Sequence, residues 1–139
     1  MPLPKPTPGL VIHHEYLWRN EFMAGANQGQ KRRPVAIILA VATSVGGMEV
    51  VVAPITHTEP TGSATGVLLP TRVKKSLGLD DDPSWVITND LNVFGWPGED
   101  LYPVPQSPPG TYEYGFLPPA LFQQIRDDII RQGMVATPR

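Results

Sequence analysis

Two apolar runs separated by a glycine pair constrain this chain more than any other feature. Val35-Ala-Ile-Ile-Leu-Ala-Val41 comes first, Gly46-Gly47 interrupts, and Met48-Glu-Val-Val-Val-Ala-Pro-Ile55 follows. β-Branched runs on either side of a Gly-Gly turn predict an antiparallel hairpin with strands over residues 33–43 and 48–55. Both runs are nearly continuous in apolar residues, which places the hairpin in the middle of the core. The open end of such a hairpin gathers the residues before its first strand and after its second. Here that puts Arg32 and Arg33 near Thr56 and His57. A guanidinium, a hydroxyl and an imidazole at the rim of a β core suit a phosphate.

The rest of the chain arranges short elements around this pair. Gly9-Leu-Val-Ile12 opens a first strand that runs toward Leu17, with His14, Tyr16 and Trp18 on one side of it and His13 on the other. Residues 19–30 are polar and glycine-bearing and read as a long loop. A second loop covers 58–66, and Val67-Leu68-Leu69 reads as a short strand. A short helix is expected over Thr71 to Leu77, with Thr71 as its N-cap and Gly78 just past its end. Asp80-Asp-Asp-Pro83 reads as a turn, since its spacing lacks the alternation and terminal glutamate of a calcium loop.

Ser84 to Phe94 is expected to form one strand with Trp85 in the core, broken by Gly95-Trp96-Pro97-Gly98. Leu101 to Val104 is an edge-strand candidate, because its proline forbids a central place. Pro118-Pro119 introduces a helix to about Gln132, with Leu121, Phe122, Ile125 and Ile129 on one face and Arg126, Asp127, Asp128 and Arg131 opposite. Residues 134–139 read as a loose tail. The expected fold class is therefore a single mainly-β domain, a small barrel or sandwich of five to seven strands with one short helix and one C-terminal helix.

Composition narrows the functional classes. With no cysteine in 139 residues, thiolate catalysis, disulfides and cysteine-based zinc sites are excluded. The net charge of −2 rules out grip on nucleic acid by bulk electrostatics. Any such grip needs a local patch, and Lys31-Arg32-Arg33 and Arg72 with Lys74-Lys75 are the candidates, each alternatively a solvated edge or helix face. No apolar run is long enough for a membrane helix, and the N-terminus lacks a secretory apolar stretch, so a cytoplasmic place is expected.

Three pieces of this sequence resemble the PemK/MazF-like toxins of bacterial toxin–antitoxin pairs. Gly29-Gln-Lys-Arg-Arg-Pro34 before an apolar strand is similar to the family's Gly-x-Arg-Pro. Val50-Val-Val-Ala-Pro-Ile-Thr56 is similar to its strand ending in Ile-Thr. Trp85-Val-Ile-Thr-Asn-Asp-Leu-Asn92 lies where the family has an apolar strand followed by Gln-x-Arg. The resemblance implies an SH3-like β-barrel with a C-terminal helix, usually a homodimer. It further implies a metal-independent endoribonuclease that needs no cofactor, inhibits growth by cutting single-stranded RNA, and is blocked by an antitoxin protein. By position, Arg33 matches the family's catalytic arginine and Thr56 its catalytic threonine. Three features depart from the family: Asn92 in place of a functional arginine, a longer first loop without the common Ser-Glu-Gln run, and an apparent insertion over residues 98–117.

The chemistry needs few groups, because RNA carries its own nucleophile in the 2′-hydroxyl. Arg33 suits the phosphate, since its planar fork donates two bonds and keeps its charge. Thr56 can donate to the same phosphate or orient the 2′-hydroxyl. His57, next to Thr56, and His14 on the first strand are the acid–base candidates. Lys31, Arg32 and Asn92 are the polar RNA-binding candidates, and Tyr16, Trp18 and Trp96 offer rings for base stacking. Blander roles compete. Arg33 can be an exposed residue before a strand, Thr56 can end its strand with a hydroxyl-to-backbone bond, and His57 faces away from Thr56 if the strand continues. A non-cleaving barrel that binds RNA or protein is the alternative function.

Overall fold

A computed structural model describes residues 3–18, 23, 25, 31–97 and 101–138. Most of the expected 19–30 loop and residues 98–100 lie outside the described residues. The architecture is mainly β: a barrel-like, largely antiparallel sheet with, among the described residues, one short and one longer helix. The strands are β1 (Leu10–Tyr16), β2 (Lys31–Ala42), β3 (Met48–Thr56), β4 (Gly66–Leu68), β5 (Trp85–Ile87), β6 (Leu91–Trp96), β7 (Glu113–Phe116) and β8 (Ala136–Pro138). The helices are α1 (Thr71–Ser76) and α2 (Pro119–Arg131).

The β2–β3 hairpin is central, as its apolar runs require. β1 flanks β2, β7 flanks β1, and the far edge of β3 is shared, by β6 along Met48–Val52 and by β5 at Ile55–Thr56. Side chains alternate between two buried faces. Val11, Ala36, Ile38, Ala53 and Ile55 pack with Ile125 and Ile129 of α2 and with Val73 and Leu77 of α1. Ile12, Tyr16, Val35, Ile37, Val50 and Val52 pack on the other face with Phe94, and Trp96 and Leu101 add to that layer. A sheet covered on both faces has no polar side to alternate with, and this explains the near-continuous apolar runs. A register shift between Ile37 and Leu39 ends the double coverage, and Leu39 and Val41 beyond it are exposed.

Several expectations are corrected. The stretch from Ser84 to Phe94 is two strands, not one. Asn89 breaks it by accepting a bond from Thr65 N (3.0 Å) and donating to Ser63 O (2.7 Å), so its amide serves a neighbouring loop. Trp85 is half-buried rather than in the core. Leu101 to Val104 contributes only a bridge, Leu101 to His14. The tail is not loose over its described part: β8 pairs parallel with β6 and buries Thr137. Pro70, not Thr71, is the N-cap of α1. Gly78 does take the left-handed conformation past that helix (φ +69°). Asp128 does not face outward with its neighbours, because its Oδ2 accepts a 2.6 Å bond from buried Thr88 and ties α2 to the β5–β6 bend.

His13 joins β1 to the β7 side through a 2.8 Å bond between Nδ1 and the Tyr114 hydroxyl. Burial, and then the Arg32 charge, lower the His13 pKa below its ordinary 6.5, and burial pushes Tyr114 up to about 12. At His13 the folded chain therefore binds fewer protons than the unfolded one. The contribution of His13 to stability is full above 6.5 and is lost as pH falls through the lowered folded value. The urea midpoint is expected to drop between about pH 7.5 and about pH 5, and to drop less in His13→Gln.

Candidate functional site

The site forms where four segments end together: the start of β2, the end of β3, the 57–65 loop and the β5–β6 bend. Val35 pairs with Pro54 across the hairpin, and the same register carried two residues further sets Arg33 level with Thr56. Their side chains share a face, and both line the same two cavities. The larger, about 900 Å³, is walled by Trp18, Arg33, Thr56, Glu59, Asn89 and Asp90 among others. The smaller, about 270 Å³, is walled by Arg32, Arg33, Thr56, His57, Asp80 and Ser84 among others. Arg33 and Thr56 thus sit on the divide between them. Gly66 holds the 57–65 loop close, because a Cβ there would meet Pro60 Cγ at 2.9 Å and Val86 O at 3.0 Å.

Arg33 is half-buried, and its guanidinium carbon lies 5.0 Å from the centre of the Trp18 ring. That stacking limits the swing of a long side chain while its charge persists. Beneath it, the Tyr16 hydroxyl donates to Asp90, with its carbonyl oxygen at 2.5 Å and Oδ1 at 2.8 Å. Burial first, then Asp90, raise the Tyr16 pKa well above its usual value, with the Arg33 charge acting against them. Thr56 Oγ1 accepts the Thr58 N–H at 3.1 Å. That bond leaves the hydroxyl proton for donation into the cavity.

His57 lies beside Thr56, and the competing outward-facing reading fails. β3 stops at Thr56, the chain bends at residues 57 and 58, and His57 shares the smaller cavity with Thr56 instead of facing away. Its Nε2 lies 2.8 Å from Asp80 Oδ2 and 3.0 Å from Oδ1. Asp80 Oδ1 also accepts a 2.8 Å bond from Lys74 Nζ, and the same ammonium donates to the Asp82 carbonyl. The Lys74 bond first, working against the cost of burial and helped by His57, holds the Asp80 carboxyl below the usual carboxylate range. Donor atoms of His57, Asp80 and Asp82 converge within 4.8 Å, but the Lys74 ammonium already supplies the cation that this cluster balances.

Other candidates fall elsewhere. His14 is 1% exposed, stacked on Phe94 at 4.3 Å, with Nδ1 2.7 Å from the Glu15 carbonyl oxygen, so it belongs to the core and not to either cavity. Tyr16 is likewise 1% exposed and cannot offer its ring to a base. Asn92 is 0% exposed, and its amide clamps the main chain of Leu17, accepting from N at 3.0 Å and donating to O at 2.7 Å. A fully enclosed amide with these partners holds β6 to the end of β1 and has no reach to RNA. Trp96 packs on the Phe94 layer away from the cavities. Arg32 is exposed, lines the smaller cavity, and lies 3.5 Å over the Tyr102 ring. Lys31 opens β2 opposite Tyr16, and its side chain lies outside the described part. In the second basic patch, Lys74 is buried.

Sequence reasoning did not place Lys74, Asp80, Asn89 or Asp90 at this site: Lys74 reads only as part of a basic patch and Asp80 only as part of a turn. An aspartate after a short helix carries no periodic signal linking it to a histidine 23 positions earlier. Among the described residues no helix is long and apolar enough to cross a membrane. No family model, no curated protein and no solved structure matches the chain.

Proposed function

We propose that this chain is a PemK/MazF-like toxin, a metal-independent endoribonuclease that cuts single-stranded RNA and so inhibits growth. The observation that carries the reading is the placement of Arg33 and Thr56 on one face, lining the same two cavities. The Arg33 fork takes two non-bridging oxygens of the scissile phosphate. Thr56 donates its hydroxyl proton to the same group. The 2′-oxygen then gives its proton to a base and bonds to phosphorus, the bond to the 5′-oxygen breaks and that oxygen takes a proton from water, leaving a 2′,3′-cyclic phosphate and a 5′-hydroxyl.

The larger cavity is of a size that ligand sites commonly have. Glu59 and Asp90 there disfavour phosphate, so this side takes a base: Asn89 and the carboxylates offer hydrogen bonds to its edge and Trp18 a flat apolar wall. The phosphate belongs on the Arg33–Thr56 divide and the smaller, arginine-lined cavity. The reading carries with it a cytoplasmic place, a homodimer, and an antitoxin that occupies the same groove.

A second reading has its own support. Asn92 is spent on the main chain where the family's functional arginine stands, and acidic groups line the larger cavity, as befits a barrel that binds RNA or protein without cutting. Incubation of the purified protein with a long RNA in EDTA separates the two. Discrete fragments ending in cyclic phosphate are expected; RNA that stays intact at all protein concentrations supports the binder.

A further inference from the structure

We infer that His57 is the base that takes the 2′-hydroxyl proton, and that Asp80, anchored by buried Lys74, is the positioning residue that holds its ring. This inference rests on the ribonuclease reading and deepens it. A neutral imidazole carries one N–H and one acceptor nitrogen, and the partner of one decides the role of the other. Here the partner is a carboxylate, which only accepts. His57 Nε2 therefore carries the hydrogen, at 2.8 Å from Asp80 Oδ2. Nδ1 is left as the acceptor on a ring that shares the smaller cavity with Thr56 and Arg33.

The support behind Asp80 goes beyond what a surface ion pair needs. The Lys74 side chain is only 5% exposed, although an enclosed ammonium gives up its hydration and is unfavourable unless well partnered. Its partners are Asp80 Oδ1 and the Asp82 carbonyl, and the Asp82 N–H adds a bond to Asp80 Oδ1 at 3.2 Å. Lys74 rides on α1, whose Val73 and Leu77 sit in the core. A rigid chain thus leads from core to helix, ammonium, carboxylate and imidazole. The His57–Asp80 contact, with both side chains exposed, contributes little to stability itself.

In the step itself, Nδ1 accepts the proton as the 2′-oxygen bonds to phosphorus. The imidazolium that forms faces the Asp80 carboxylate. The departing 5′-oxygen takes a proton from water, and His57 returns its own to solvent before the next turnover.

The test combines kinetics with imidazole ¹⁵N shifts, on wild type, His57→Gln, Asp80→Asn and Lys74→Met, using a short single-stranded RNA that carries a site mapped on long RNA. His57→Gln is expected to lower kcat by about 10²-fold or more with KM little changed, as loss of a general base does. Asp80→Asn is expected to lower kcat and to move the His57 shifts away from the Nε2–H tautomer, which a merely structural residue would not do. Lys74→Met is expected to shift the same signals in the same direction. His57 is exposed, so its variant folds and reports even if Lys74→Met does not. Cleavage by wild type with unchanged kcat in His57→Gln overturns this inference alone. An Nδ1–H tautomer in wild type also overturns it. No cleavage by wild type overturns the ribonuclease reading and the base role together.

Discussion

Arg33→Ala is expected to remain folded and to lose RNA cleavage by about 10²–10³-fold, the usual cost of removing a positioned charge from a developing anionic transition state. Its main chain pairs with His14 of β1, and that pairing does not depend on the side chain. What is lost is, among the described residues, the one guanidinium that lines both cavities on the face shared with Thr56. Arg33→Lys tests the geometry. It keeps the charge but not the planar fork or the stacking on Trp18, so only partial recovery is expected. Initial rates on a defined RNA, with a melting curve for each variant, measure both effects. Equal rates in wild type and Arg33→Ala would remove the phosphate grip from the assigned site. Growth arrest on expression should disappear in the Arg33, Thr56 double alanine variant for the same reason.

Asn92→Ala is expected to lower stability by about 3 kcal/mol, because it strands the buried N–H and C=O of Leu17 that the amide satisfies. For a domain of this size that corresponds to a fall in melting temperature of roughly 10 °C. At a temperature where both proteins are folded, RNA affinity is expected to be unchanged. Differential scanning calorimetry and an RNA titration read the two parts separately. A variant with wild-type melting and weakened RNA binding would return Asn92 to the groove.

These two residues show what a reading of residue types can and cannot recover. Arg33 and Thr56 were legible because they sit at the matched ends of one hairpin, and an antiparallel turn converts sequence offset directly into spatial pairing. The apolar face of α2 was legible because Ile125 and Ile129 repeat at the helical period. Asn92 was misplaced because it lies in a segment whose break at Asn89 depends on a loop more than twenty residues earlier. His14 was misplaced because a strand's alternation gives the side a residue takes, not what covers that side. Here Phe94 covers it.

For His57 it is the competing outward-facing reading that fails. Its supposed outward face assumed that β3 continues, and the bend after Thr56 turns it into the smaller cavity. Asp80 reads only as part of a turn and Lys74 only as part of a basic patch, and neither pattern ties them to His57. Nothing in Thr71-Arg-Val-Lys-Lys-Ser-Leu77 marks one lysine as buried and the next as exposed until the helix docks.

By itself, then, the sequence determined the hairpin, the mainly-β class, the C-terminal helix and the closeness of Arg33 to Thr56. Each follows from turn chemistry or periodicity, which act over a few residues. Only the tertiary structure decided that His57 faces the same cavity, that Asp80 and Lys74 stand behind it, and that Asn92 and His14 lie within the packed interior. Those outcomes depend on which distant segments share an edge of β3, and on the burial that follows when they do. No local pattern encodes a packing choice made between segments far apart in the chain.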